Sequence, residues 1–594
     1  MPDAAPQKSC CTPVAACFYG LFAVAFFALM LLFVSRALTD PDFWWHLKTG
    51  ELMVRGRALL AADPFNFTGD PATVTLRERM ILQGYWLWQV VAYGFYRLGE
   101  FAGIKLLGGL TLLATYAAVG RSLLRSRVRP EVALPLLAVS LYLYFRFYPL
   151  ERPQVISFLC AAVLVGFLVA VRRGERPSWL LYPLMAVWAN MHGGVIVGAV
   201  LLILFAAGSA WDLRGEPARL RAIAWWCGGG ILASFVNPVG LDYYWGTLEL
   251  MNRGMTEGVT EFRSSFWVFS YGTKAIAWLW LLLAVHFAAL GRDGRRGSAA
   301  EWLVSLFLAV GGVLYMRNVA FAAVALLPLT ACAVERALAA LPAVRGPRFR
   351  SAGPAAAGLA IVLLGYACVD AWRWRGEEAV NQDSVPRELA EFLDRVPLEG
   401  NLFNEYTWGG YLLWKLHPKY RLFIDGRAID ERAYGDYFTI SGASLRDAGG
   451  TPEYKRLIDD YRIDYVAMHN QMEFGLVQKL LKYLLADREW VPIYLDASGF
   501  VLARSTAATR PVIDRHRIAK KAFLDQLLGY YNQALQAAPQ RADFYLGRGE
   551  LLGYIGRYDE AARDFATVRQ LDPGHPFLDD KISQLQKLRE KTGQ

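Results

Sequence analysis

The chain has 594 residues, of which 55% are hydrophobic and 14% aromatic, and its formal net charge is +10. A soluble protein of this size would divide into several domains with apolar residues spread among them. Here the long apolar runs are confined to residues 14–371. The positive charge does not indicate nucleic-acid binding, because the arginines lie in short loops between apolar runs and no RNA- or DNA-binding motif is visible. The composition predicts an integral membrane protein with a soluble C-terminal part.

Apolar runs of about 20 residues are long enough to cross a bilayer as helices. The sequence predicts about eleven spans, near 14–35, 102–120, 131–148, 153–171, 177–191, 193–211, 222–236, 272–290, 301–315, 319–338 and 353–371. The aromatic-rich stretch 83–97 is predicted to lie on the membrane surface.

The distribution of arginine predicts the orientation of the spans, because cytoplasmic loops carry an excess of Lys and Arg. With the N-terminus in the cytoplasm, the arginine-rich loops near residues 121–129, 172–176, 214–221, 292–296 and 336–350 all fall inside. An odd number of spans then places the C-terminal part outside. We therefore predict a multi-pass membrane protein with a cytoplasmic N-terminus. In a Gram-negative bacterium it would lie in the inner membrane, and its C-terminal domains would be periplasmic.

Three domains are predicted. Residues 1–371 form the transmembrane domain, and residues 372–510 form a small extracytoplasmic α/β domain with strands at Leu402-Phe403, Arg421–Asp425, Tyr465–Met468, Trp490–Tyr494 and Phe500–Ala503. Residues 511–594 are predicted to be a helical tetratricopeptide repeat, because the spacing of Ala538-Pro539, Tyr545, Gly547, Gly556, Tyr558, Ala561, Phe565 and Pro573 fits that pattern.

The first outer loop opens with Asp40-Pro-Asp-Phe-Trp-Trp-His46. If a helix begins near Pro41, Asp42 and His46 are four residues apart on one face. A carboxylate in this setting can act as a general base or bind a metal. The alternative is structural, with the acids as helix N-caps and Trp44 and Trp45 as an interfacial belt.

Four further polar clusters fall on the same predicted outer face. They are Arg152-Pro-Gln154, Trp188–Gly194 with Asn190 and His192, Asn237–Gly240 followed by Asp242 and Glu261, and Arg317-Asn318. Each has a structural alternative as a turn, a helix stop or an interfacial anchor. Ionisable residues at membrane depth are expensive, however, and by default mark functional sites.

The clusters together favour one class of substrate. Arginines pair with phosphates, and carboxylates and indoles suit sugar hydroxyls and apolar sugar faces. A lipid-linked sugar phosphate combines these features with an apolar tail. A base would deprotonate an acceptor hydroxyl, which attacks the anomeric carbon while arginines hold the leaving phosphate.

This arrangement resembles the polytopic GT-C glycosyltransferases, which use polyprenyl-phosphate sugars and carry an acidic pair in the first extracytoplasmic loop. Asp40 and Asp42 match that pair. Asp42–Gly50, Asp63–Phe67, Trp188–Gly194, Asn237-Pro, Asn404–Leu412 and Phe423–Arg427 resemble a largely uncharacterised bacterial branch. The pair here is Asp-x-Asp, whereas the protein mannosyltransferases have adjacent acids.

The predicted site has three groups of residues. The catalytic group is Asp42 as the base, with Asp40 and His46. The donor-phosphate group is Arg152, Arg317 and His192. The sugar or acceptor group is Trp44, Trp45, Asn190, Glu261, Glu405, Asp425 and Arg427. For Glu405, Asp425 and Arg427 the structural alternative is close packing and an internal ion pair.

No cofactor is predicted, and the oligosaccharyltransferase-type metal motif is not recognisable, although the sequence leaves a divalent metal open. The expected partners are a lipid-linked sugar donor, a glycan, lipid or protein acceptor, and a protein bound through the tetratricopeptide segment. The alternatives are a transporter of lipid-linked saccharide, which would need polar groups on both membrane faces, and a non-catalytic scaffold for envelope glycan or protein assembly.

Overall fold

A computed structural model describes residues 13–69, 73–251, 260–292, 298–340, 352–373, 380, 385–446, 450–472 and 475–592. The chain divides into two compact units. The membrane unit contains residues 1–40, 49–61 and 75–381, and the C-terminal unit contains residues 41–48, 62–74 and 382–594. Two segments of the first loop therefore belong to the same unit as residues 382–594.

In the described part of the membrane unit the regular secondary structure is helical, apart from an isolated bridge between Leu38 and Val380. Its helices are α1 Pro13–Ser35, α2 Phe43–Gly56 (shared with the C-terminal unit), α3 Leu76–Gln83, α4 Trp86–Arg125, α5 Pro130–Phe147, α6 Gln154–Arg172, α7 Leu181–Met191, α8 Val195–Asp212, α9 Pro217–Ala233, α10 Asp242–Met251, α11 Ser265–Ser270, α12 Ala277–Arg292, α13 Ala299–Leu314, α14 Val319–Ala339 and α15 Ala352–Arg373.

Eight helical segments in the described part are long and apolar enough to cross a membrane, which makes the chain a multi-pass membrane protein. They contain α1, α4, α5, α6, α8, α12, α14 and α15. The other three predicted spans coincide with helices α7, α9 and α13, which have only 11, 17 and 16 residues. The count of eleven spans and their orientation stay predictions.

Helix α4 joins the predicted surface stretch 83–97 to the following span. Its backbone leaves the helical region at Gly99 and Glu100, and Glu100 has a φ of 48°. The two helical pieces meet closely at this bend, because a Cβ at Gly103 would clash with the carbonyl of Phe95.

Helix α14 is the most buried of the spans and packs against α5, α6, α12 and α13. It is rich in alanine, and small residues allow neighbouring helices to approach closely. Near its end, Arg336 binds Glu301 of α13 at 2.8 Å, and Glu301 also binds Arg172 of α6 at 2.8 Å. Glu301 thus ties three helices together with two ion pairs.

The C-terminal unit contains a four-stranded sheet with the strand order β1-β2-β4-β3. The strands are β1 Asn401–Asn404, β2 Ile463–His469, β3 Trp490–Leu495 and β4 Gly499–Arg504. Strand β1 pairs with β2 in parallel, and the other pairs are antiparallel. The helices are α16 Arg387–Arg395, α17 Gly409–Leu416, α18 Glu431–Ser441, α19 Glu453–Asp460, α20 Lys479–Ala486, α21 Arg510–His516, α22 Lys520–Ala537, α23 Ala542–Tyr554, α24 Tyr558–Leu571 and α25 Leu578–Thr592.

The strand predicted over Arg421–Asp425 is wrong. Only Leu422 forms isolated bridges there, to Leu402 and Asn66. The chain turns at once, because the Asp425 side chain binds the backbone N–H of Arg427 at 3.0 Å. Local side-chain bonds of this kind compete with a strand ladder.

One hydrophobic core runs through the sheet and the C-terminal helices. Phe403 and Phe500 of the sheet belong to the same buried cluster as Phe523, Leu546 and Phe565 of the helices. In addition, Glu550 of α23 binds Lys482 of α20 at 2.7 Å. Helices α22–α25 therefore do not form a separately packed body, and their assignment as a tetratricopeptide repeat stays a prediction.

Candidate functional site

Arg152 lies between two of the predicted acids in the membrane unit. Its Nε donates to Asp40, and its Nη1 donates to Glu261. The side chains of Asp40 and Arg152 are 2% and 13% exposed. The structure therefore brings three predicted site residues together, although they are far apart in the sequence.

The backbone around Asp40 is fixed by a second acid. The Glu151 carboxylate accepts the N–H groups of Thr39 and Asp40 at 3.0 and 3.3 Å. Burial raises the pKa of Glu151, and the hydrogen bond from Thr39 and the charge of Arg36 oppose that rise. Two neighbouring residues, Glu151 and Arg152, thus hold the start of the first loop.

The membrane unit contains a cavity of about 260 Å³ beside this cluster. The apolar side chains that line it are Phe158, Ile196, Val197, Phe262, Phe307, Leu308 and Phe321. The polar side chains that line it are Tyr85, Gln154, Ser157, His192, Thr247, Tyr315, Arg317 and Asn318. The cavity is therefore suited to an amphipathic molecule.

Several polar side chains of this wall have no salt bridge or hydrogen bond with a described residue. Arg317 forms no salt bridge with a described carboxylate, and its guanidinium lies 4.9 Å from the ring centroid of Phe262. Among the described residues, the side-chain amides of Gln154 and Asn318 also have no hydrogen-bond partner. A cavity lined by unsatisfied donors and one positive charge favours an anionic ligand.

His192 lies in the same wall and is held by its neighbours. Its Nδ1 is 2.7 Å from Ser157 Oγ and 2.9 Å from the backbone N of Gly194. Trp188 Nε1 donates to the same Ser157 Oγ at 2.7 Å. Burial, and to a lesser degree the charge of Arg317, lowers the pKa of His192 to about 3, so the ring is neutral at pH 7.

Asn190, which is predicted to bind the sugar or the acceptor, has hydrogen-bond partners within the membrane unit. Its Oδ1 accepts from Trp86 Nε1 at 2.6 Å, and its Nδ2 donates to the carbonyls of Ala186 and Val236 at 2.8 and 2.6 Å. The amide is therefore used to join three segments of the membrane unit.

Asp42 lies in the segment Pro41–Lys48, which belongs to the C-terminal unit. Helix α2 begins at Phe43, so Asp42 directly precedes it, and the carbonyl of Asp42 accepts the His46 N–H at 3.5 Å. Asp42 is half-buried, and its Oδ1 accepts from Trp45 Nε1 at 3.3 Å. A Cβ at Gly426 would clash with this carboxylate.

The aromatic residues beside Asp42 are packed inside the unit. The Trp45 and His46 rings stack 3.5 Å apart, and the Trp44 ring meets Tyr411 edge to face at 5.0 Å. Trp44, Trp45 and His46 are 3%, 6% and 4% exposed. The predicted role of the two tryptophans in sugar binding stays untested.

Asp425 and Arg427 form a buried network with Asp63. Arg427 Nε donates to Asp425 at 2.7 Å, and Nη1 donates to Asp63 at 2.7 Å. Burial opposes the charged form of Arg427, but the two carboxylates outweigh it and raise its pKa. The guanidinium also lies 4.7 Å from the Phe65 ring centroid. This geometry matches the structural alternative for these residues, an internal ion pair.

Glu405 is the last predicted site residue of the C-terminal unit. Its Oε1 accepts from the Tyr437 hydroxyl at 2.7 Å and from the Tyr406 N–H at 3.0 Å. Burial and then the Glu405 charge raise the pKa of Tyr437 well above its usual value. Glu405 is thereby connected to helix α18.

Sequence reasoning missed Ser157, Tyr315 and Tyr85 as residues of the cavity wall. Ser157 lies three residues after Gln154 on the same helix, so helical periodicity could have placed both on one face. Tyr315 precedes the Arg317 turn. Within the described residues, no group of three or more His, Cys, Asp or Glu side chains is close enough to hold a metal ion.

No family model matches this chain, and no curated protein matches it. Among solved structures, the chain is similar to ArnT from Cupriavidus metallidurans bound to undecaprenyl phosphate, with a TM-score of 0.45 and 15% identity over 83% of this chain and 99% of that one. It is also similar to the Archaeoglobus fulgidus oligosaccharyltransferase in its apo form, with a TM-score of 0.48 and 12% identity over 82% of this chain and 74% of that one. Similarities of this size carry no functional argument. The function proposed below rests on the residues themselves.

Proposed function

We propose that the protein is a membrane glycosyltransferase that moves a sugar from a polyprenyl-phosphate donor to an extracytoplasmic acceptor. The observation that carries this proposal is the cavity of the membrane unit. It combines apolar side chains with the amides of Gln154 and Asn318 and with the guanidinium of Arg317, which forms no salt bridge with a described carboxylate. A lipid tail suits the apolar part, and a phosphate suits the cationic donors.

Arg317 and His192 are the residues we assign to the donor phosphate. Arg317 supplies the charge, because no described carboxylate forms a salt bridge with it. Arg152 has a different role, because its Nε and Nη1 already donate to Asp40 and Glu261. We assign Arg152 to the positioning of the first loop.

Asp42 is our choice for the general base. Asp40 is buried and bound by Arg152, whereas Asp42, two residues later, is half-buried. In the proposed reaction a carboxylate takes the proton of an acceptor hydroxyl, and the oxygen attacks the anomeric carbon. The bond from that carbon to the phosphate oxygen breaks, and polyprenyl phosphate leaves with the electron pair. Attack opposite the leaving group inverts the anomeric centre.

The test compares cells that express the wild-type protein and the Asp42→Asn variant at equal levels. Surface glycans, periplasmic glycoproteins and extracted lipids are analysed by mass spectrometry. We expect one sugar to be missing in the variant, with its polyprenyl-phosphate donor accumulated. Asp242→Asn is the matched control, because Asp242 is an exposed acid paired with Arg79.

Identical glycans in the wild-type and Asp42→Asn cells would contradict the proposed base. Identical glycans in wild-type cells and in cells that lack the protein altogether would contradict the proposed transferase activity. The acceptor class, whether glycan, lipid or protein, would be read from the molecule that lacks the sugar.

A further inference from the structure

A chain of hydrogen bonds converges on one ring nitrogen of His192. Trp188 Nε1 donates to Ser157 Oγ at 2.7 Å, and Ser157 Oγ lies 2.7 Å from His192 Nδ1. The backbone N–H of Gly194 also donates to His192 Nδ1, at 2.9 Å. All four residues are in the membrane unit, and the side chains of Ser157 and Trp188 are buried.

These contacts fix the position of the ring proton. A backbone N–H can only donate, so Nδ1 must accept and carries no proton. The neutral imidazole then has its proton on Nε2. Ser157 receives the Trp188 N–H on its oxygen, so its own O–H is free to donate to Nδ1. The direction of the chain runs from Trp188 through Ser157 to His192.

The protonated Nε2 is the part of the ring left for a ligand. In the described part of the chain, no residue accepts a hydrogen bond from Nε2, and His192 lines the cavity together with Arg317. We propose that Ser157 and Trp188 are positioning residues that hold His192 as a neutral Nε2–H donor to the phosphate of the ligand in this cavity. This inference rests on the proposed function, since the ligand is the prenyl phosphate assigned there.

The surroundings of His192 keep the ring neutral. The titratable or charged groups that face it are Arg317, Tyr85, whose ring centroid is 5.6 Å away, and Tyr243, whose hydroxyl approaches the adjacent Gly193. None of them is a carboxylate that would stabilise an imidazolium. Burial lowers the pKa of His192 to about 3. The donor therefore stays unchanged between about pH 5 and pH 8, the range in which an ordinary histidine titrates.

Gly194 is required by this arrangement. A Cβ at this position would clash with Ser157 Oγ and would lie 3.0 Å from His192 Nδ1. The indole of Trp188 likewise requires a glycine at position 198, because a Cβ at Gly198 would lie 2.6 Å from its ring. Two glycines thus allow the serine, the histidine and the tryptophan to approach closely.

The first experiment measures the tautomer directly. Full-length protein labelled with 15N-histidine is reconstituted in phosphatidylcholine vesicles and examined by solid-state NMR, and the His192 signals are assigned by their loss in His192→Gln. We expect Nε2 to be protonated and Nδ1 to be unprotonated from about pH 5 to pH 8. We also expect farnesyl phosphate to shift the Nε2 signal. A protonated Nδ1, or a saturating ligand that leaves Nε2 unshifted, would overturn the proposal.

The second experiment measures farnesyl phosphate binding to the Ser157→Ala and Trp188→Phe variants. We expect Ser157→Ala to weaken binding about 3- to 10-fold and to shift the Nδ1 signal, because one hydrogen bond that orients the ring is lost. Ser140→Ala is the control, since Ser140 is a buried serine bonded to Tyr116. Wild-type affinity in Ser157→Ala, or an equal loss in Ser140→Ala, would overturn the positioning role.

The two proposals can fail separately. Farnesyl phosphate could bind and shift the Nε2 signal as predicted while no sugar is transferred in cells. In that case the proposed transferase activity is wrong, and the assignment of His192 as a hydrogen-bond donor to the phosphate stands. If farnesyl phosphate does not bind the wild-type protein, the assignment of the ligand to this cavity is wrong.

Discussion

Arg152 shows how a single side chain fixes the start of the first loop. It is bound by two carboxylates, and the Asp40 side chain is 2% exposed. Removal of one partner of a buried ion pair leaves an uncompensated charge and costs about 3–5 kcal/mol. We expect Arg152→Ala to lower the free energy of unfolding by an amount in this range, measured by thermal and denaturant unfolding of the purified protein in detergent.

The control for this prediction is Arg79→Ala. Arg79 pairs with Asp242 at 2.5 Å, but the two side chains are 42% and 59% exposed. Exposed pairs contribute less than about 1 kcal/mol. Equal losses of stability in the two variants would show that the Arg152 cluster is not a buried ion pair of the kind described.

His192 leads to a prediction about pH. Its folded-state pKa is about 3, below the usual value near 6.5. As the pH falls below 6.5, the unfolded chain therefore takes up the proton first, and stability decreases. At pH 5 this loss amounts to about 2 kcal/mol at 1.36 kcal/mol per pH unit. We expect His192→Gln to lose less stability than the wild type between pH 7 and pH 5.

The comparison between the two proteins isolates His192. The pKa values of His469 and His516 are also lowered by burial, but these residues contribute equally to both proteins. The measurement is the melting temperature as a function of pH. Parallel curves for wild type and His192→Gln would contradict the low pKa.

At the scale of the helix, Gly208 determines how closely α8 approaches α13. A Cβ at Gly208 would clash with the backbone of Ala300. Backbone atoms cannot move aside as a flexible side chain can, so Gly208→Ala should cost about 1–3 kcal/mol through overpacking. Gly120→Ala in α4 is the matched control, because no atom lies within 4 Å of its added Cβ. That change should be neutral or stabilise the helix by up to about 1 kcal/mol.

Unfolding of both glycine variants in the same detergent checks this prediction. Helices α8 and α13 also supply Val197 and Leu308 to the cavity. We therefore expect Gly208→Ala, but not Gly120→Ala, to weaken farnesyl phosphate binding. Similar melting temperatures for the two variants would contradict the close approach of these helices.

Long apolar helices are well predicted from the sequence, because a helix satisfies all the backbone hydrogen bonds of a long hydrophobic run within the bilayer. The short elements are less well predicted. Helices α7 and α9 look like spans by composition but are only 11 and 17 residues long. The segment Arg421–Asp425 has three consecutive apolar residues, as a short buried strand would, yet the bond between Asp425 and the Arg427 N–H turns the chain. Such contacts decide a conformation without changing the hydrophobic pattern.

The candidate site was predictable in its residue types but not in its pairings. Arg152 and Asp40 are 112 residues apart, and nothing local indicates that one binds the other. Likewise, the use of Asn190 by Trp86 and Val236 depends on packing of separate segments. Arg317 could be singled out because an arginine between two apolar runs is costly unless it is paired or used.

At the scale of the whole molecule, the predicted orientation decides which donor the proposed transferase could use. The turns that contain His192 and Arg317 line one cavity, whereas the α8–α9 turn at Gly215 follows the opposite end of α8. The arginine bias predicts that the cavity turns lie outside and Gly215 inside. A cavity that opened on the cytoplasm would face water-soluble activated sugars, and a lipid-linked donor would have no advantage there.

Single-cysteine reporters test this orientation in a background from which the seven native cysteines are removed. Tyr271, which is 72% exposed, and the exposed Gly215 are replaced one at a time by Cys. We expect a membrane-impermeant maleimide to label the reporter at 271 in intact spheroplasts and the one at 215 only after permeabilisation. The reverse pattern would place the cavity turns in the cytoplasm. A lipid-linked donor would then be the wrong class of substrate, even if the Asp42→Asn variant still lost transfer.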